Sequence, residues 1–277
     1  MGELSGVAIG VTAERRAEEF IGALERHGAE VRHAPTITIM PLNSDPLLRG
    51  ATSALVAAPV DFTVVTTGAG FRGWLDAASG WDLRTALVAR LGESRIYARG
   101  PKAVGAVRGA GLRETFSAES ESNAELFDAV GSAGVDGARV AVQLHGTPLP
   151  EFTAPLVSAG ASLVEVQPYR WTSPRDVTPV HELIDAAVAG SLGAIAFTSA
   201  PAAANFLTLA RTSGRYQQLL AALRGPLVVA CVGPVTAAPL EAVGVETVQP
   251  ERQRLGALVK LLVTTLSGTG GTSESRS

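Results

Sequence analysis

The chain has 277 residues, enough for one large or two medium domains. Hydrophobic residues make up 46%, charged residues 18%, and the mean hydropathy is +0.23, so a disordered chain is excluded over most of the length. The net charge of −3 predicts no nucleic-acid partner for this chain, and its one cysteine, Cys231, excludes a disulfide framework. Without a signal-peptide pattern or an 18-residue apolar run, we expect a cytoplasmic protein with no membrane partner.

Short β-branched runs alternate with Ala- and Leu-rich segments of helical period along the chain. The predicted strands are 7–11, 62–65, 95–97, 140–144, 163–166, 195–197 and 227–231. The clearest predicted helices are 13–27, 81–91, 124–130 and 181–189. Near-continuous apolar strands that alternate with helices are typical of parallel sheets covered on both faces. The predicted fold class is α/β.

An internal repeat divides this pattern into two similar lobes. Residues 65–71 align with 197–203 at an offset of 132, and 100–103 align with 233–236 at an offset of 133. The strand at 7–11 aligns in the same way with the strand at 140–144. Gly28 also aligns with Gly160. Three segments whose offsets differ by at most one residue favour duplication over the similarity expected from α/β composition alone.

Two segments are predicted to connect the lobes. Residues 34–41 and 168–174 are bounded by proline and rich in β-branched or aromatic residues, so neither can be helical throughout. They could pair as a two-stranded hinge. In the tail, 267–277, nine of eleven residues are Gly, Ser or Thr, which is typical of a flexible linker. That tail is either a solvated terminus or a tether to a further domain.

Turns between strands and helices supply the candidate ligand groups. Helix starts at the carboxyl ends of parallel strands direct free backbone N–H groups and positive dipole ends toward one crevice. Two lobes could therefore hold a carboxylate-rich ligand without a strongly basic composition. The turn residues are Thr12, Thr66, Thr67, Gly68, Gly100, His145, Gly146, Thr198, Ser199 and Gly233. The basic residues Arg15 and Lys102 stand beside these turns and complete the candidate binding groups.

A dinucleotide-binding loop and a metal site are two alternative kinds of binding site for this sequence. Residues 68–73 fit the pattern G-x-G-x-x-G after a strand, but the matching turn in the second lobe has Ala200, Ala202 and Asn205. The shared fold therefore does not need these glycines for a pyrophosphate. The four histidines show no metal-ligand spacing. We expect no cofactor and no metal.

The ordered series of segments resembles the uroporphyrinogen-III synthase family from about residue 6 to 265. The resemblance rests on the opening strand and Thr12 turn, 62–70, Gly100-Pro101-Lys102, 140–146, Tyr169-Arg170, Phe197-Thr198-Ser199 and 232–237. It implies two α/β lobes joined by a two-stranded ladder, with a discontinuous first lobe. The expected boundaries are 1–38 and 175–266 for lobe 1 and 42–168 for lobe 2.

The resemblance also implies a reaction. The family closes hydroxymethylbilane, a linear tetrapyrrole with eight carboxylates, into uroporphyrinogen III with ring D inverted through a spiro intermediate, in a cleft between the lobes. It uses no cofactor. Tyr169 matches the tyrosine implicated in departure of the hydroxyl, which makes it the candidate catalytic residue. Thr236 matches a threonine of the substrate cleft.

Several positions depart from the family pattern and leave a second function open. Ala103 stands where a cleft threonine is expected, and His145 stands where arginine is common. Arg99 and Trp171 also differ from the common pattern. The alternative is a non-catalytic, ligand-sensing module of a transcriptional regulator, with a DNA-binding domain attached after the Gly/Ser/Thr tail.

Overall fold

The computed structural model describes residues 2–267. The strands are β1 Ala8–Val11, β2 Glu30–His33, β3 Thr38–Pro41, β4 Phe62–Val65, β5 Arg95–Ala98, β6 Phe116–Ser117, β7 Arg139–Gln143, β8 Ser162–Val166, β9 Tyr169–Thr172, β10 Ala194–Phe197 and β11 Val228–Cys231. The helices are α1 Ala17–Arg26, α2 Pro46–Ala57, α3 Gly68–Ser79, α4 Arg84–Gly92, α5 Pro101–Gly109, α6 Asn123–Ser132, α7 Pro150–Ser158, α8 Thr178–Val188, α9 Ala200–Thr212, α10 Tyr216–Leu223, α11 Pro234–Glu241 and α12 Leu255–Ser267. None of these helices is long and apolar enough to cross a membrane.

The chain divides into two compact units, with boundaries between Thr38 and Ile39 and between Trp171 and Thr172. Unit 2 is the continuous middle segment, and unit 1 contains the segments on either side of it. The crossings fall on β3 and β9, which pair as a two-stranded sheet. The two Pro-bounded connectors therefore do form a strand pair.

The two units contain parallel sheets of matching order. Unit 1 has the order β11-β10-β1-β2, and unit 2 has the order β6-β5-β4-β7-β8. All the pairs in both sheets are parallel. The sequence repeat places β5, β4, β7 and β8 against β11, β10, β1 and β2, so the order is the same in both. Even β6 has a counterpart, since Val248 bridges Ala230 beside β11.

Helices cover both faces of each sheet, as the apolar strands predict. In β10 every residue is buried: Ile195 and Phe197 pack against α8 and α9, while Ala194 and Ala196 face α12. In β4, Val65 lies in the core with α3, and Phe62 and Val64 lie in the core with α6. Alternate residues of each strand point to opposite faces of the sheet, so each unit has two cores, one on each face. The α/β class with two parallel sheets is confirmed.

Some boundaries differ from the predicted ones. The helix predicted from residue 13 begins only at Ala17, because Arg16 takes a left-handed conformation with φ 56° at its N-cap. Helix α12 continues through Ser267, the first residue of the predicted flexible tail. The rest of that tail, 268–277, lies outside the described residues.

Candidate functional site

In unit 2, most of the predicted ligand-binding residues lie at the carboxyl ends of β4, β5 and β7. Predicted residues on this rim are Thr66, Thr67, Gly68, Gly100, Lys102, His145 and Gly146. The candidate catalytic residue Tyr169 starts β9 and reaches the same rim through its hydroxyl. The parallel sheet brings them together because every strand ends at one edge.

A buried glutamine fixes the end of β4. Gln143 is the last residue of β7 and is fully buried. Its Oε1 accepts from the backbone N of Thr67 at 3.1 Å, and its Nε2 lies 3.4 Å from the Thr67 hydroxyl oxygen. The Thr66 hydroxyl donates to the Gln143 backbone oxygen at 2.7 Å. These bonds hold the β4 turn to β7 and satisfy polar groups that would be costly to bury unpaired.

The Thr67 hydroxyl is shared between a helix cap and Tyr169. Its Oγ1 accepts from the backbone N of Gly70 at 3.1 Å, which caps α3, and it also accepts from Gln143 Nε2. Tyr169 Oη lies 3.5 Å from the same oxygen. Either hydroxyl could be the donor of this contact, whose 3.5 Å length is long for a bond between two hydroxyls. The contact places the Tyr169 hydroxyl at the turn that begins α3.

The turn after β7 is held against β9. Gly146 bridges Arg170, and Gln167 Nε2 donates to the Gly146 oxygen at 2.9 Å. Gly146 has φ +91°, and a Cβ there would lie 2.4 Å from Trp171 Cδ1 and 3.2 Å from Tyr169 Cε2. Only glycine fits this backbone and this space. The bare backbone at Gly146 therefore lets the rings of Tyr169 and Trp171 lie against the turn.

Arg99 supplies positive charge to the rim. It follows β5 directly, and within residues 2–267 its guanidinium forms one side-chain hydrogen bond, 3.5 Å from Nη1 to Asn123 Oδ1. Burial lowers the pKa of Arg99, while the nearby Tyr169 and Glu121 raise it. An arginine stays protonated even so, because its reference pKa is so high.

His145 is neutral at physiological pH. Burial, and secondarily the charge of Arg99, lowers the pKa of His145 from 6.5 to about 4. Its Nδ1 is buried and has no hydrogen-bond partner among residues 2–267. Desolvation and a neighbouring cation both disfavour the imidazolium. His145 therefore acts on this rim as an uncharged polar group.

This shift predicts a pH-dependent stability. Because the folded-state pKa of His145 is about 4 and the reference value is 6.5, the unfolded chain binds the additional proton between these values. The free energy of unfolding should therefore fall as the pH drops from 6.5 towards 4, by about 2 kcal/mol after allowance for partial exposure.

The measurement compares wild type with His145→Gln by urea unfolding at several pH values. Titratable groups other than His145 are present in both proteins, so their contributions cancel in the difference. We expect the stability of wild type relative to the variant to decline below pH 6.5. Parallel stability curves for the two proteins would contradict the assignment.

Unit 1 has its own rim at the ends of β1, β10 and β11. The predicted residues on it are Thr12, Arg15, Thr198, Ser199, Gly233 and Thr236. Ser199 caps α9 through Ala202 N at 3.4 Å, as Thr67 caps α3 in unit 2. Thr12 and Thr236 are buried, and the Thr12 hydroxyl donates to the Ala196 oxygen at 3.0 Å rather than capping a helix. Arg15 is exposed.

The glycine pattern at 68–73 has a packing explanation. A Cβ on Gly68 would lie 2.0 Å from the Lys102 backbone oxygen, and one on Gly70 would lie 2.2 Å from Gln143 Nε2. At Gly73 no atom lies within 4 Å of the Cβ position. The first two glycines thus allow α3 to approach α5 and β7, which accounts for them without a phosphate.

Sequence reasoning missed one residue of this site and undervalued two others. The sequence did contain a signal for Gln143, because an amide side chain at the end of the apolar strand 139–143 is expected to be buried and hydrogen-bonded. The sequence indicates Arg99 and Trp171 only as departures from the pattern of the family it resembles, not as candidate binding residues. Within residues 2–267 no group of three or more His, Cys, Asp or Glu is placed to hold a metal.

Similarity to known proteins identifies the family of this chain. The family model described as uroporphyrinogen-III synthase HemD matches residues 18–260. The chain belongs to the uroporphyrinogen-III synthase family. The match covers both units, so the two-lobe architecture and the family predicted from the ordered motifs are both confirmed.

The chain is also similar to individual solved structures and relatives. The chain is similar to a crystal structure of a mutant uroporphyrinogen III synthase from Thermus thermophilus, with TM-score 0.79 and 26% identity, covering 95% of this chain and 99% of that one. It shares the fold of uroporphyrinogen-III synthetase from Helicobacter pylori 26695, with TM-score 0.51, 12% identity and coverage of 94% and 99%. It is also 25% identical to the uncharacterized protein YjjA of Bacillus subtilis, over 92% of this chain and 94% of that protein.

Proposed function

We propose that this synthase-family protein cyclises hydroxymethylbilane to uroporphyrinogen III with inversion of ring D. The proposal is supported by family membership over residues 18–260 and by the organisation of the unit 2 rim. The observation that carries it is the Thr67–Tyr169 contact, which places the Tyr169 hydroxyl 3.5 Å from Thr67 Oγ1 at the start of α3. A phenolic hydroxyl placed there can donate its proton to the departing hydroxyl of the substrate.

The proposed chemistry begins with loss of water. Tyr169 donates its proton to the terminal hydroxyl, which leaves as water and produces an azafulvene. The substituted carbon of ring D attacks that carbon to give a spiro intermediate, which fragments and closes again with ring D inverted. The proton released when the ring finally closes restores Tyr169, so one water is lost overall and the protein is unchanged.

The enzyme must select which isomer forms as well as accelerate the reaction, since the linear substrate also closes without inversion in the absence of enzyme. Each 1.4 kcal/mol of preference for one closing geometry changes the isomer ratio about tenfold. The free N–H groups at the start of α3 and the guanidinium of Arg99 can hold carboxylates of the substrate in a fixed position. That the turns of unit 1 also contact the substrate remains a prediction.

The decisive assay measures the products of purified protein supplied with freshly generated hydroxymethylbilane. After oxidation, uroporphyrins I and III are separated by chromatography, with a protein-free reaction as the control. We expect isomer III to dominate. A III-to-I ratio equal to that of the control would overturn the enzymatic function and leave a ligand-sensing module, which binds without changing the ratio.

A further inference from the structure

Arg99 is a partly buried cation without an ion pair among the described residues. Among residues 2–267 no carboxylate lies within ion-pair distance of it, and its one side-chain hydrogen bond, to Asn123, has the long distance of 3.5 Å. Glu121 is the acidic group that acts on it, but the stem of Glu121 lies against Gly100. A guanidinium has five N–H donors in a planar fork, so most of the donors of Arg99 have no acceptor among the protein groups of residues 2–267.

A second unpaired donor lies on the same rim. Trp171 Nε1 is buried and has no acceptor among the described residues. The indole lies against Gly146, 2.8 Å from the position a Cβ would occupy, and the Tyr169 ring lies against the same position at 3.2 Å. Arg99 directly follows β5, so it lies at the same edge of this parallel sheet as the turn after β7 that contains Gly146. Buried indole N–H groups normally find an acceptor, and a cation beside such a group favours an anionic one.

We propose that Arg99 and Trp171 form a subsite for one carboxylate of the ligand, next to the hydroxyl of Tyr169. The planar fork of arginine binds both oxygens of a carboxylate, and the indole N–H adds a third donor. This inference rests on the proposed function for the identity of the carboxylate, which is one on the ring that carries the departing hydroxyl. Neutral His145 beside Gly146 leaves Arg99 as the cation of this subsite.

The first test is steady-state kinetics with hydroxymethylbilane. Arg99→Gln should raise KM about 10- to 100-fold, the loss expected for hydrogen bonds to a charged group. Arg95→Gln is the matched control because Arg95 begins the same strand at the opposite edge of the sheet and is exposed over the Phe62 ring. We expect the control to stay within about twofold of wild type. Equal KM values for wild type and Arg99→Gln would overturn the subsite.

The second test does not depend on turnover. The chain has 3 tryptophans, so its indole N–H signals are few and can be assigned with Trp171→Phe. Titration with succinate should shift the Trp171 signal in wild type and not in Arg99→Gln. The Trp74 signal is an internal reference, since Trp74 Nε1 already donates to Thr52 Oγ1 at 2.9 Å.

The two tests separate the two proposals. If wild type fails to bias the isomers but succinate shifts the Trp171 signal through Arg99, the proposed function fails and the carboxylate subsite stands. If wild type makes isomer III and either the KM or the Trp171 signal fails to respond to loss of Arg99, the subsite fails alone.

Discussion

Tyr169→Phe is expected to slow formation of uroporphyrinogen III about 100-fold or more, the usual contribution of a positioned general acid. The variant keeps the ring that lies against Gly146 and loses only the hydroxyl 3.5 Å from Thr67 Oγ1. Binding should therefore be preserved, so the effect should appear in kcat rather than in KM. Single-turnover measurement of isomer III under saturating substrate checks this.

The matched control is Tyr97→Phe. Tyr97 lies in β5 of the same unit, where its ring packs between Phe62 and Phe116, so the variant removes the same atom from the core. Its activity should stay within about twofold of wild type. If Tyr169→Phe retains full activity while Tyr97→Phe behaves normally, Tyr169 is not the proton donor and the mechanism proposed for this rim is wrong.

Gly68→Ala is expected to destabilise unit 2 by about 3 kcal/mol, whereas Gly73→Ala in the same helix should be neutral or stabilising by up to about 1 kcal/mol. At Gly68 the added methyl would overlap the Lys102 carbonyl, at 2.0 Å from its oxygen and 2.7 Å from its carbon. Both contacts are backbone atoms of α5, so no side chain can move aside. At Gly73 there is open space, and alanine has the higher helix propensity.

The midpoints of urea unfolding, followed by far-ultraviolet circular dichroism, compare these variants directly. Because both replace glycine by alanine in α3, differences in unfolded-chain entropy largely cancel. Similar midpoints for the two variants would show that α3 and α5 are not in close contact at Gly68. The glycine motif at 68–73 would then need another explanation, such as a bound phosphate.

Much of the fold could be read from local patterns. Burial on both faces makes parallel strands continuously apolar, so 62–65 was predicted with the bounds that β4 has, and 195–197 missed only the first residue of β10. The repeat predicted two similar units because both copies must solve the same packing problem. Gly28 and Gly160, paired by the repeat, have φ +92° and +94°. The short, largely exposed strands β2 and β3 carried too weak a pattern to be predicted singly.

The candidate site was predictable as a set of residue types but not as an arrangement. The sequence placed Thr67, His145 and Tyr169 among the candidates without indicating which of them share hydrogen bonds. Thr67 and Tyr169 are 102 residues apart along the chain, and their contact exists only because β9 runs beside the turn after β7. The same holds for the neutral state of His145, which depends on burial and on Arg99 from another strand.

The amino-acid sequence by itself determined the α/β class and the duplicated units, because periodicity and turn residues are local properties of the chain. The family followed from the resemblance of its ordered motifs to those of a known family. Only the tertiary structure decided which hydroxyl lies beside Tyr169 Oη, why Gly68 and Gly70 are glycines, and that Arg99 has no ion pair among residues 2–267. Those properties are set by contacts between residues distant in sequence. Such contacts follow from the packing of whole elements, which no local pattern records.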